Sequence, residues 1–386
     1  MNTFQIQFEE IIDYLKYDDF QILTKRVIDL TLDSESLYLY KKTNDLLDWL
    51  DANPENSVEK KQKFQSLLDE LYIVLSKKEI IIPKLLVSAK ALEKTYSTAR
   101  FSLGPVNLNL HQGEILGLVG ENGNGKTTLL RLLCGELFAT SGELNYHFPY
   151  EDLYDLRTQL VYIPQRTQTW YGSVFTNLEF AASNYGYKPE ENALVVNLIM
   201  ARLGLRKFRN YAWKDLSSGF KMRLELAHML LRKPKILLID EPLANLDILA
   251  QQTILEDFKA IAKSSFRPIG IVLSSQQLYE VEKTSDQVIF LKNGAQKNLH
   301  EKSNKDDAVI VPQNFIYEFE TEWSKNQLIP LFGNNLIELQ FNGGVYIATC
   351  SAMISPDKFL QMITDNKVPI QYYRNITNST RRFFIS

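Results

Sequence analysis

The stretch Gly120-Glu121-Asn122-Gly123-Asn124-Gly125-Lys126-Thr127 has the spacing G-x-x-x-x-G-K-[ST]. Its glycines let the backbone curl until successive N–H groups face one point, a nest for an anion. Lys126 adds a movable charge that reaches the β- and γ-phosphates of a nucleotide. The Thr127 hydroxyl adds a hard oxygen suited to Mg²⁺, and Thr128 continues the turn into the helix. A second pair of groups stands at Asp240-Glu241, directly after the apolar run Ile236-Leu237-Leu238-Ile239. A carboxylate at Asp240 can hold Mg²⁺ through water. Glu241, one residue on, can take a proton from an attacking water.

Such groups need a frame, and the flanking sequence supplies one. Ile115-Leu116-Gly117-Leu118-Val119 is a short apolar run leading into the glycine loop. The runs Ile269 to Leu273 and Val288 to Leu291 are similar, and suit strands buried between helices in an α/β sheet. Residues from about Gly172 to Leu231 follow a helical period. This core spans residues 85–302. Residues 1–84 form an all-α stretch: Phe8, Ile11, Ile12 and Leu15 repeat at helical spacing, as do Phe64, Leu67, Leu68, Leu71 and Leu75. Asn53-Pro54-Glu55-Asn56 is a turn between helical segments. Residues 309–386 read as an α+β accessory domain in the order β-α-β-β-α-β, that of a ferredoxin-like unit.

Composition excludes several classes. The 386 residues carry a formal net charge of -3, so no basic field points to nucleic acid. No apolar run reaches the roughly 20 residues of a membrane-spanning helix, and Met1 to Lys16 is too acidic for a signal peptide. Cys134 and Cys350 are two small buried residues of a reducing compartment. His111, His147, His228 and His300 have no metal-ligand spacing and read as surface or partly packed side chains. Arg232-Lys233-Pro234-Lys235 reads as a solvated loop.

Beyond these groups, the chain resembles the ATP-binding cassette (ABC) family. Leu216-Ser217-Ser218-Gly219 looks like its signature, Val161-Tyr162-Ile163-Pro164-Gln165 like its Q-loop, and Ala244-Asn245-Leu246-Asp247 like its D-loop. Tyr96 stands where the family places an aromatic residue against adenine, and Gln276 stands in the switch region. The resemblance implies a P-loop ATPase with a helical subdomain and the cofactors ATP and Mg²⁺. It implies that Gln165 senses Mg²⁺ and that two cassettes pair head to tail. ATP then lies between the phosphate loop of one and Ser217, Ser218 and Gly219 of the other. A separate transmembrane permease would be the further partner, in an exporter rather than an importer, with the chain on the cytoplasmic face of the membrane. No nucleic-acid partner is expected. Two positions depart from the pattern. Phe220 replaces the Gln that usually ends the signature, a change expected to be tolerated. Gln276 replaces the switch His and cannot carry its positive charge. Hydrolysis is therefore expected to be slow.

Trp170, Tyr171, Phe175 and Phe180 follow Gln165. They suit either the helical-subdomain core or the groove that in this family receives a helix of the membrane subunit. Arg381-Arg382-Phe383-Phe384 could dock on another chain or fray. The alternative function is a soluble or degenerate cassette acting as a nucleotide-dependent regulatory protein. Membrane association and Glu241-dependent turnover separate the two.

Overall fold

The computed structural model describes residues 2–54, 56–96, 101–165, 169–244, 246–276, 278–297, 314–342 and 344–377. The chain divides into two compact units, Met1–Gln296 and Lys297–Ser386. The boundaries expected at 302 and 309, His300, and the Arg381–Phe384 cluster lie outside the described residues.

The first unit opens with four helices, α1 (Thr3–Lys16), α2 (Phe20–Ser34), α3 (Leu37–Ala52) and α4 (Ser57–Leu75). Each begins where a short polar side chain, Asn2, Asp19, Ser36 or Asn56, accepts a backbone N–H of the first turn. Such caps satisfy donors that the helix itself leaves free. The apolar stripes meet in one cluster holding Phe4, Ile11, Leu23, Phe64, Leu68 and Leu71. These helices share their compact unit with the phosphate-loop core.

The core begins with β1 (Leu85–Thr95), β2 (Ser102–His111) and β3 (Ile115–Val119), followed by α5 (Lys126–Leu133) and β4 (Ser141–Tyr146). Next come α6 (Leu153–Gln159), β5 (Leu160–Ile163), α7 (Val174–Asn184), α8 (Pro189–Arg202) and α9 (Ser218–Leu231). The last elements are β6 (Ile236–Ile239), α10 (Ile248–Ala262), β7 (Gly270–Ser275), α11 (Leu278–Thr284), β8 (Gln287–Lys292) and β9 (Ala295–Lys297). A six-stranded sheet has the order β5-β6-β7-β3-β8-β9. The pairs β5–β6, β6–β7, β7–β3 and β3–β8 are parallel. β3, β6 and β7 are buried at every residue, as strands with both faces covered must be. A separate antiparallel sheet, β2-β1-β4, packs through Leu92, Val106 and Leu110 into a cluster with Leu129 and Leu133 of α5. The segment between β5 and β6 is helical, with α8 packed on both α7 and α9.

The second unit contains β10 (Phe315–Thr321), α12 (Lys325–Phe332), β11 (Leu336–Asn342), β12 (Val345–Cys350), α13 (Pro356–Asp365) and β13 (Ile370–Asn375). The sheet order β11-β12-β10-β13, antiparallel throughout, is the ferredoxin-like arrangement. Tyr317, Phe319, Phe332 and Phe359 fill the space between sheet and helices. Both cysteines are buried thiols.

Candidate nucleotide site

The parallel strands end side by side, and their carboxyl ends carry the candidate residues, the usual place for a ligand in such a sheet. β3 runs directly into Gly120. A side chain there is excluded, since a Cβ would lie 2.5 Å from the Leu291 carbonyl oxygen of β8. Gly125 turns with φ 97°, a conformation that L side chains rarely adopt. Asn124 pins the loop from within: its Oδ1 accepts the Asn293 N–H at 2.9 Å. Lys126 opens α5 and is only 5% exposed. Its Nζ donates to the Gly120 carbonyl at 2.6 Å and to the Glu121 carbonyl at 3.2 Å, and pairs with Glu241 Oε1 at 3.1 Å.

Asp240 follows β6 and is 2% exposed. A buried carboxylate requires partners, and it has three. Thr127 donates its hydroxyl to Oδ2 at 2.7 Å and Tyr162 of β5 donates to the same oxygen at 3.4 Å. Ser274 of β7 donates to Oδ1 at 2.6 Å. Glu241 adopts φ 51°, a left-handed conformation rare outside glycine. The Glu241 N–H donates to Ser274 Oγ at 2.9 Å, and the Gln276 N–H donates to Glu241 Oε2 at 3.3 Å. Ser274 thus ties both acidic residues to β7. Sequence reasoning did not assign Ser274 or Tyr162 a role. The available signal was a hydroxyl in an otherwise apolar, fully buried strand.

Gly120–Thr128, Asp240, Glu241 and Gln276 therefore come together in one place. The remaining candidates stand around it. Gln165 is exposed just past β5, and Tyr96 is half-buried just past β1. Ser217 caps α9, accepting the Phe220 N–H at 3.5 Å, and both Ser217 and Ser218 are exposed. Asp247 caps α10 through the Ala250 N–H at 2.9 Å. Asn245 of the D-loop stretch lies outside the described residues.

Comparison with known proteins decides the family. The ABC transporter family profile matches residues 103–244. An uncharacterized ABC transporter ATP-binding protein of Bacillus subtilis, YxlF, is 30% identical over 211 residues, covering 54% of this chain and 68% of its own length. The chain belongs to the ABC transporter ATP-binding proteins. This family binds and hydrolyses ATP. A putative ABC transporter ATP-binding protein of Methanosarcina mazei is 26% identical over 218 residues. The chain spans about half the length of that relative, 47%. Among solved structures, cbiO1 of Clostridium perfringens, described as part of the ABC transporter complex cbiONQ, superposes with TM-score 0.51 at 26% identity. That match covers 55% of this chain and 87% of cbiO1.

Several side chains of this ABC protein differ from expectation. His228 is fully buried rather than superficial: its ring stacks on Trp170 at 4.1 Å between centroids, and burial pushes its pKa down to about 4. The Trp170 indole N–H also donates to Glu225 Oε1 at 2.7 Å, so Trp170 joins the stretch after Gln165 to α9. Tyr171 and Phe180, 89% and 69% exposed, are not core. The Arg232–Lys235 run is a loop, as expected, with Lys233 exposed and Arg232 and Lys235 partly covered. Arg232 lies over the Tyr185 ring, Lys233 over Tyr187 and Lys235 over Phe148, because their long stems cover aromatic surface. Phe220 packs on Phe208 at 3.9 Å between centroids, which gives the aromatic side chain a place in the helical segment.

Proposed function

We propose that this chain binds MgATP, pairs with a second cassette of the same or another sequence, and drives a separate membrane permease of an export system. The observation that carries this reading is the convergence of Lys126, Thr127, Asp240 and Glu241 at neighbouring strand ends. Thr127 Oγ1 and Asp240 Oδ2 lie 2.7 Å apart, two hard oxygens in one place. That donor set fits Mg²⁺, which takes one or two carboxylates and completes its shell with water and substrate phosphates. Gln165 would add an amide oxygen. Bound there, the ion would neutralise charge on the β- and γ-phosphates.

The phosphates would draw Lys126 away from its loop carbonyls and from Glu241. Glu241, released, would take a proton as water attacks the γ-phosphorus and ADP leaves. Ser217, Ser218 and Gly219 open α9 of the opposing cassette and would close over the γ-phosphate with a hydroxyl and helix N-terminal N–H groups. ATP would then bridge the pair and its hydrolysis would release it. The exposed rings of Tyr171 and Phe180 offer an apolar foothold for a permease. Among the described residues no helix is long and apolar enough to cross a membrane. The export direction rests on the additional C-terminal unit.

Purification from detergent-solubilised membranes tests the reading. A membrane protein should co-purify, and the isolated complex should hydrolyse ATP in a Glu241-dependent manner. Isolation without any membrane partner, with turnover indifferent to Glu241, defeats it. The same assay checks the switch position. Gln276→His should raise turnover roughly hundredfold, the order expected for one charged contact to a transition state. Equal rates for the two proteins would show that Gln276 does not limit the reaction.

A further inference from the structure

The N-terminal helices touch two parts of the core at once. One is α8, in the helical segment that also carries α9 and its Ser217–Gly219 start. The other is α10 and the Ser264–Arg267 loop, in the part that follows Asp240 and Glu241. Arg202, at the end of α8, is 1% exposed and joins all three elements. Its Nε donates to Asp29 Oδ1 of α2 at 2.6 Å, and its Nη1 donates to Asp257 Oδ1 of α10 at 2.6 Å. Lys25 of α2 reaches the same Asp257 oxygen at 2.8 Å.

Further bonds extend the pattern on both sides. Toward the helical segment, Asn44 of α3 donates to the Leu194 carbonyl at 3.2 Å, and Arg206 pairs with Asp48 at 2.6 Å. Toward the core, Asp33 of α2 accepts from Arg267 at 2.6 Å and from Ser264 at 2.9 Å. Apolar side chains are buried here too: Ile28 of α2, Leu47 of α3, and Val195, Leu198 and Ile199 of α8, on helices that pack together. Among the described residues, Phe266 is the one buried core side chain in the apolar cluster of the four helices. A crevice of about 670 Å³ is lined by residues of both the helices and the core, Arg26, Phe266, Tyr187, Ile199 and Lys259 among them. Beside that apolar packing, directional ionic contacts join α8 to α10 directly and through α2.

We propose that Arg202 is a positioning residue: held by Asp29 and Asp257, it fixes the helical segment, and with it Ser217–Gly219, at the angle needed to close over ATP in the opposing cassette. This rests on the closure reading proposed above. Holding that angle in advance removes part of the ordering cost of closure. Asp29 lies outside residues 103–244, the part of the chain that the family profile matches, whereas Arg202 lies inside it.

The test uses the full chain in the Glu241→Gln background, with Asp29→Asn as the added change. Asp29 is 25% exposed at its side chain, so loss of its charge leaves the apolar core intact. ATP is titrated while pairing is followed by light scattering. In parallel, the affinity of the dilute monomer for a fluorescent ATP analogue is measured. The ATP concentration for half-maximal pairing should rise about tenfold, within the usual range for coupling between sites. Monomer affinity should stay unchanged, and Asp29→Glu should restore pairing. Amide hydrogen exchange in α8 and α9 should speed up in Asp29→Asn. A pairing midpoint that is unchanged, lowered, or shifted in parallel with monomer affinity overturns the proposal. If the Glu241→Gln parent itself does not pair at saturating ATP, the closure reading fails. Unchanged exchange in α8 and α9 then separately overturns the role of Arg202 in holding the segment.

Discussion

Glu241→Gln should hold ATP without turning it over. The substitution keeps the shape of the side chain and an oxygen for the Gln276 N–H, but it removes the proton acceptor. A general base contributes on the order of 10²–10⁴ in rate, so kcat should fall by roughly three decades. Affinity should not fall with it. Lys126 keeps its Gly120 and Glu121 carbonyl partners, and loses only the carboxylate that competes with phosphate for its charge. Equilibrium binding and single-turnover hydrolysis, measured on the same preparation, check both halves. Turnover within tenfold of the native protein would remove Glu241 from the base role.

Gly120→Ala acts on the cradle instead. The added methyl would meet the Leu291 carbonyl oxygen at 2.5 Å, and that oxygen belongs to a strand paired with β3. Neither backbone can yield without moving the loop or the sheet. Forced overpacking of this kind costs ~1–3 kcal/mol. Placed on the loop rather than on global stability, that is roughly a ten- to hundredfold weaker ATP affinity. Titration calorimetry with ATP, together with a thermal unfolding scan, separates the two. Native affinity with a native melting temperature would mean that the loop relaxes freely around the methyl.

The phosphate loop and the Asp240-Glu241 pair were legible because their chemistry is contiguous. A few adjacent residues carry the turn, the charge and the carboxylates, and the flanking apolar runs announce the strands. Ser274 was less legible. Its role depends on β7 lying beside β6, so that one hydroxyl meets both acidic residues across 34 and 33 positions. The antiparallel β2-β1-β4 sheet was harder still, since irregular register in β1 breaks the alternation that identifies a strand. His228 looked superficial because a single polar residue says nothing about the ring that covers it. The Arg202–Asp29 and Arg202–Asp257 contacts span 173 and 55 positions, and no local pattern encodes them.

The Lys126–Glu241 pair also bears on how the cycle ends. An empty phosphate cradle would cling to any anion left behind. Here the protein carries its own anion, 3.1 Å from the lysine. Spent phosphate must compete with it, and the internal rival is never diluted. The residue proposed to start the chemistry would thus also help evict its product, which resets the site.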